Sequence, residues 1–333
     1  MAKVAVMGAG SWGTTFAKVL ADGGNDVILW ARREDVAEEI NTEHRNGDYL
    51  PGIKLPEAIK ATCSAAEAIA DAELIYVAIP SQSLRASLAD WAPHIPANAI
   101  VVSLMKGVEK ETGLRMSEVI REVTSIDEGR IAVISGPNLA LEIAEGQPTA
   151  SVAASTDKET AEAVAAASSN EYFTTFTNKD VIGTEFGGIL KNLIAVAIGI
   201  VNGVGYGENT KASIMTRGLS EISRFAVAYG AKKKTMVGLS GLGDLIATCE
   251  SPLSRNHKAG EMLGKGYSQR EVHKRMAQTA EGLASVAPIL SLAAEKGVEM
   301  PIVQQVQLVL EGKMNPKDIG PHLTHHTDGP QDE

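Results

Sequence analysis

The chain has 333 residues, 44% of them hydrophobic and 22% charged, a balance that excludes a largely disordered chain, a collagen-like repeat and a disulfide-knit miniprotein. Aromatics make up only 4%, so a core has to rest on Ala, Val, Ile and Leu. The formal net charge of −10 argues against nucleic acid or an anionic membrane as partner, because polyanions are met by a basic face, yet a small anion can still bind where a few Lys, Arg and backbone N–H groups converge.

At roughly 100–200 residues per domain, the length suggests two domains. The first apolar run, Val4 to Met7, leads straight into glycines and reads as a buried strand, not a signal peptide. Runs at 27–31, 73–79, 99–105 and 131–135 follow, each nearly continuous in hydrophobics, as strands covered on both faces should be. Ser11 to Gly24 leaves room for a crossover helix, and the repeated rhythm predicts βαβ units around a parallel sheet. Further runs at 149–155 and 171–176 flank an Ala-rich helix opened by Ser155, Thr156 and Asp157 and extend that sheet. The first domain is expected to close near residue 178.

From 179 the pattern turns helical, with stretches at 181–202, 211–229, 268–276, 282–296 and 301–311. The segment 186–201 carries Lys191 and Asn192 and falls short of the ~20 apolar residues needed to cross a bilayer, so it reads as a buried helix. The helical domain is placed at 179–314, and 315–333, polar and without periodicity, reads as a disordered tail. Cys63 and Cys249 form no CxxC pair and fit reduced thiols in the cytoplasm. His44, His94, His257 and His273 lack ligand spacing, and His322, His325 and His326 fall in the tail, so no metal is expected.

The run GAGSWG supplies Gly8, Gly10 and Gly13 directly after a predicted strand and at the opening of a predicted helix. In that context it is a dinucleotide fingerprint: Gly8 for the tight turn, Gly10 for approach of a pyrophosphate, Gly13 for close packing of helix on strand. The positive end of the helix faces the diphosphate, with Ser11 and Trp12 against the cofactor. Where the second strand should end in an acidic ribose ligand, the sequence has Arg32 and Arg33. Guanidinium groups there hold a 2′-phosphate or stack on adenine, so NADP is favoured over NAD.

A dinucleotide fold does not specify a reaction. Lys191 lies in an otherwise apolar helical stretch, where an unpaired ammonium is costly, and its stem leans over Gly187 and Gly188. Two glycines beside it suggest that a cofactor or substrate packs against the backbone, and a buried lysine is suited to donate or accept a proton. Lys106 follows the strand at 99–105, and Gly136, Pro137 and Asn138 follow the strand at 131–135, both at the carboxyl edge where open α/β sheets bind ligands. Residues 241–256 combine Asp244, Thr248, Ser254, Arg255 and Asn256, which offer a cation and donors for a phosphate. Asp244 either pairs with Lys191 or caps a helix after Gly243.

Taken in order, GAGSWG, LMKG, SGPNLA, GGILKN, GLGDLIATC, SPLSRN and TAEG resemble the bacterial NAD(P)-dependent glycerol-3-phosphate dehydrogenases over about residues 3–312. The resemblance implies an α/β fold: an N-terminal Rossmann-type, doubly wound, mostly parallel sheet with an all-α C-terminal domain, in a homodimer. By similarity, Lys191 is the catalytic proton donor and acceptor, with Lys106 and Asp244 beside the substrate. Gly136, Asn138, Ser254, Arg255 and Asn256 also contact substrate, while Ser11, Trp12, Arg32, Arg33, Lys106, Ala140, Arg255 and Glu281 contact cofactor. Many relatives carry Ser or Thr at the position of Asn138, and many carry Val at that of Thr279, which leaves Glu281 in place. The reaction implied is reversible reduction of dihydroxyacetone phosphate to sn-glycerol 3-phosphate for phospholipid synthesis. A β-hydroxyacid dehydrogenase and a non-catalytic dinucleotide sensor are the alternatives.

Overall fold

A computed structural model describes residues 1–276 and 280–320. The chain divides into two compact units, Met1–Glu185 and Phe186–Glu333. The first holds an eight-stranded sheet: β1 Lys3–Met7, β2 Asp26–Trp30, β3 Ile59–Thr62, β4 Leu74–Val77, β5 Ile100–Ser103, β6 Ile131–Ser135, β7 Thr149–Ala154 and β8 Phe173–Asn178. Their order is β3-β2-β1-β4-β5-β6-β7-β8. The six strands β1 to β6 run parallel, β7 meets β6 antiparallel, and β8 follows β7 in parallel.

Alternating residues of the central strands serve two cores. Val4 and Val6 join Phe16, Leu29, Tyr76 and Phe173 on one face, while Ala5 and Met7 join Ile75, Val77, Trp91 and Val101 on the other. Both faces are covered by helices, which is why these strands read as continuous apolar runs. The chain order reverses at β1 and β4, and the carboxyl ends of β1, β2, β5 and β6 share the edge where doubly wound sheets take ligands. Strand β3 had no sequence signal, being a short edge strand with buried Ile59 and Ala61 and exposed Lys60. The Lys158–Ala167 helix is opened by Asp157, whose carboxylate accepts from the Thr160 N–H at 2.8 Å.

The second unit is helical. Its elements are Val181–Val204, which begins in the first unit, Glu208–Ala228, Lys233–Met236, Asp244–Glu250, Arg255–Gly264, Gln269–Arg275, Glu281–Glu295 and Pro301–Leu310. The Val181–Val204 helix has 24 residues, so by length and apolarity it is able to cross a membrane, contrary to the count made over 186–201. It is nonetheless the core of this unit, with 83% of its most apolar window buried inside the protein. Gly199 and Gly203 let it cross the Arg255–Gly264 helix at backbone contact. A Cβ at Gly199 would lie 2.2 Å from the His257 carbonyl, and one at Gly203 2.2 Å from that of Glu261. Gly260 and Gly264 return the same close approach from the other side. Glu221, itself buried, accepts from the N–H groups of Ile302 and Val303 and so caps the Pro301–Leu310 helix.

Residues 315–320 are part of this fold, unlike the tail expected from 315 onward. Asn315 caps a short turn, Ile319 is buried, and Tyr206 donates to the Lys317 carbonyl at 2.9 Å. Thr279 and the remainder of the expected tail, 321–333 with its three histidines, lie outside the described residues.

Candidate active site

In the glycine loop the backbone itself requires glycine at positions 8 and 13. Gly8 has φ +129°, and a Cβ there would lie 2.5 Å from the carbonyl oxygen of Ala78, the residue after β4. A Cβ at Gly13 would fall 1.8 Å from the Gly8 carbonyl oxygen, so helix Ser11–Asp22 can sit on the turn only without one. Nothing lies within 4 Å of a Cβ at Gly10, the position expected to face a phosphate. Gly10 is also the N-cap, and no side chain caps the helix there. The loop, the open space and the positive helix end fit a pyrophosphate.

The segment after the next helix fastens onto this loop. Asn46, fully buried, donates to the Ala9 carbonyl at 3.0 Å and to Thr14 Oγ1 at 2.8 Å. Ser11 Oγ donates to the Tyr49 carbonyl at 2.6 Å. Trp12 Nε1 donates to the Leu104 carbonyl at 3.2 Å, tying the loop to the chain that leads to Lys106. Strand β2 ends at Trp30, earlier than its sequence suggests, so Arg32 and Arg33 stand in the following turn with Arg33 as N-cap of the Glu34–Glu43 helix. Arg33 donates through Nε and Nη2 to Asp35 and through Nη1 to Asp48 at 2.9 Å. Hydrogen bonds donated to Asp35 and then to Asp48 hold its guanidinium above the ordinary range, and Arg33 in turn holds the Asp35 carboxyl below its own.

At the ends of β5 and β6, Lys106 Nζ donates to the Gly136 carbonyl at 3.0 Å. Asn138 Nδ2 donates to Ser151 Oγ at 3.2 Å, while Asn138 Oδ1 and Ser135 Oγ are buried without a hydrogen-bond partner among the described residues. An unpaired buried acceptor and hydroxyl beside a lysine suit a polar ligand. The helix that follows Gly136 starts at Ala140 and is only five residues long. Thr15 donates to the Ala140 carbonyl at 3.2 Å, so this turn also abuts the glycine-loop helix. Lys106, Gly136, Asn138 and Ala140 are thus gathered together.

In the helical unit, Lys191 Nζ lies 2.8 Å from Asp244 Oδ1 and 2.5 Å from Thr248 Oγ1, with all three residues buried. Asp244 therefore pairs with the lysine as well as opening its own helix. Gly187 explains how they meet. A Cβ there would lie 2.4 Å from the Ser240 carbonyl oxygen, so the occupant of the space beside this glycine is the chain's own Leu239–Gly243 turn, not the cofactor or substrate expected. Lys191, one helical turn beyond Gly187, then faces Asp244 immediately after that turn. Burial pushes the neighbouring Cys249 thiol up to about 12, with the Lys191 charge opposing.

Ser254 caps the Arg255–Gly264 helix by accepting from the His257 N–H, leaving Arg255 exposed on its first turn. Asn256 points inward instead. Its Nδ2 donates to Asn192 Oδ1 at 2.8 Å, and its Oδ1 accepts from the Gly282 N–H at 2.9 Å, capping the helix that begins at Glu281. Sequence reasoning missed the part played by Asn192, whose only signal was a second polar residue beside Lys191. Thr248 was noted, and its place four residues after Asp244 on one helix face signalled the contact.

Two family profiles cover most of the chain: the N-terminus of NAD-dependent glycerol-3-phosphate dehydrogenase over residues 3–161 and its C-terminus over 180–320. The glycerol-3-phosphate dehydrogenase [NAD(P)+] of Leifsonia xyli subsp. xyli is 64% identical over 328 residues, 98% of this chain and 89% of the relative. That of Corynebacterium glutamicum is 56% identical over 320 residues, 96% of each. The crystal structure of glycerol-3-phosphate dehydrogenase from Coxiella burnetii superposes with a TM-score of 0.91 at 35% identity, covering 97% of this chain and 98% of that one. The glycine loop and the buried lysine pair thus stand where these similarities run, and the chain belongs to the NAD-dependent glycerol-3-phosphate dehydrogenase family.

Proposed function

We propose that the chain catalyses the reversible NAD(P)H-dependent reduction of dihydroxyacetone phosphate to sn-glycerol 3-phosphate, feeding glycerophospholipid synthesis. The observation that carries this reading is the buried Lys191–Asp244–Thr248 cluster, an ammonium held by a carboxylate and a hydroxyl in a family that handles a phosphorylated three-carbon substrate. The residues that hold the dinucleotide in this reading are Gly8, Gly10, Ser11, Trp12, Gly13, Arg32, Arg33, Lys106, Ala140, Arg255 and Glu281. When bound, the reduced nicotinamide supplies hydride to the substrate carbonyl carbon.

Everything else falls to the chain. Lys191 Nζ donates a proton to the carbonyl oxygen as negative charge develops there, and recovers it in the reverse direction. Asp244 anchors and aims the ammonium, and Thr248 fixes the second of its three N–H directions. Lys106 positions the substrate with Gly136 and Asn138, whose buried Oδ1 is available to a substrate hydroxyl. Ser254, Arg255 and Asn256 anchor the phosphate, Arg255 by charge and Asn256 by fixing the two helices between which it lies. The Arg32–Arg33 pair favours NADP over NAD. The protein acts as a homodimer in the cytoplasm, a compartment that agrees with its two free thiols.

Purified protein should oxidise NADPH or NADH on addition of dihydroxyacetone phosphate and ignore β-hydroxy and β-keto acids. Turnover of the acids in place of the triose phosphate would identify a hydroxyacid dehydrogenase. Binding of NADPH without turnover of either would identify a sensor.

A further inference from the structure

Arg33 is engaged by two carboxylates of its own chain. Its Nε and Nη2 face Asp35 and its Nη1 faces Asp48, so three of the five N–H donors of a guanidinium are already taken. A 2′-phosphate binds arginine best along one edge, through two parallel N–H groups. The Nε and Nη2 edge belongs to Asp35, a near neighbour on the same turn. The Nη1 end belongs to Asp48, from a different part of the chain.

Asp48 is held firmly for a residue whose side chain is 60% exposed. On one side, Asn46 is buried and bonded to Ala9 and Thr14 of the glycine loop, and the Gly47 N–H donates to Glu39 at 3.0 Å. On the other side, the Tyr49 carbonyl accepts from Ser11. The carboxylate is thus carried by a segment fastened at both ends to the dinucleotide loop and its helix. One guanidinium between two carboxylates also leaves the spot net negative, which opposes a phosphate dianion but not a ribose hydroxyl.

We propose that Asp48 is a specificity-determining residue that restrains the preference for a 2′-phosphorylated dinucleotide by occupying Nη1 of Arg33. The proposal rests on the reading of Arg33 as the group facing the adenosine ribose. It predicts an enzyme that accepts both dinucleotides, with the balance between them set by the Asp48 carboxylate and not by the arginines alone. The flat faces of the guanidinium stay available to adenine in either case.

The test is equilibrium titration of the purified, substrate-free protein with NADPH and NADH, and with adenosine 2′,5′-bisphosphate against 5′-AMP. Asp48→Asn should tighten NADPH and the bisphosphate by about 3- to 10-fold, the scale of one or two exposed charge contacts. It should leave NADH and 5′-AMP within about two-fold. Asp48→Ala should read the same way. An unchanged NADPH-to-NADH ratio, or a shift toward NADH, overturns the proposal. Arg33→Ala separates the two layers: if it fails to weaken NADPH relative to NADH, the reading of Arg33 itself is wrong. If it does weaken NADPH while Asp48→Asn is silent, only the role of Asp48 falls. In the Arg33→Ala background the effect of Asp48→Asn should vanish, and its persistence would show that Asp48 does not act through Arg33.

Discussion

The role proposed for Lys191 depends on its burial. An ammonium shielded from water keeps its charge only if a partner compensates, and Asp244 and Thr248 both face Nζ. Removing the carboxylate leaves a buried charge behind, so Asp244→Ala should destabilise the fold by about 3–5 kcal/mol. Asp244→Asn, which keeps the shape and one acceptor, should cost less. Denaturant midpoints of the two variants check the difference, and equal midpoints would argue that the pair contributes little. This cluster was partly legible in the sequence, because a lone lysine in an apolar helix demands a partner. The choice for Asp244 between partner and helix cap needed the structure, which gives it both roles. The inward turn of Asn256 was not legible at all, since Asn192 and Gly282 are distant in sequence and nothing local marks them as neighbours.

At the scale of elements, glycines do the positioning. Gly187 admits the Leu239–Gly243 turn, and the Val181–Val204 and Arg255–Gly264 helices cross where Gly199 and Gly203 face Gly260 and Gly264. That crossing sets the distance between the helix of Lys191 and the helix of Arg255 and Asn256. Gly199→Ala should overpack it at a cost of about 1–3 kcal/mol. A thermal melt should show a loss of roughly 2–4 °C per kcal/mol for units of this size. Gly207→Ala, where nothing lies within 4 Å of the added Cβ, should lose much less. The parallel strands and long helices were legible because two-sided burial and helical periodicity leave patterns in sequence. The four-residue spacing of the glycines was visible too, but not which helix would receive them. Strand β3 left no pattern, as its four residues bury only one face at the edge of the sheet.

For the whole molecule, the net charge of −10 now sits beside two proposed ligands that are both anions. Positive potential has to be supplied locally, by cations that no carboxylate of the chain neutralises in full and by helix N-termini. The two thiols give a whole-protein check on burial. Cys63 is exposed, and slight desolvation together with the Glu34 and Asp35 charges raises its thiol above the usual value, while Cys249 is buried. Because the thiolate is the reactive form, native protein should alkylate slowly at one site near neutral pH and faster as pH rises. Unfolding should expose the second site, and two fast-reacting thiols in the native state would contradict the burial of Cys249. The central claim is tested most directly by turnover of dihydroxyacetone phosphate with NADPH in the wild-type protein and in Lys191→Ala, with NADPH affinity measured alongside. Loss of the proton donor should lower kcat by about 10³-fold or more while the dissociation constant for NADPH stays within about three-fold. Turnover close to wild type in that variant would contradict the account.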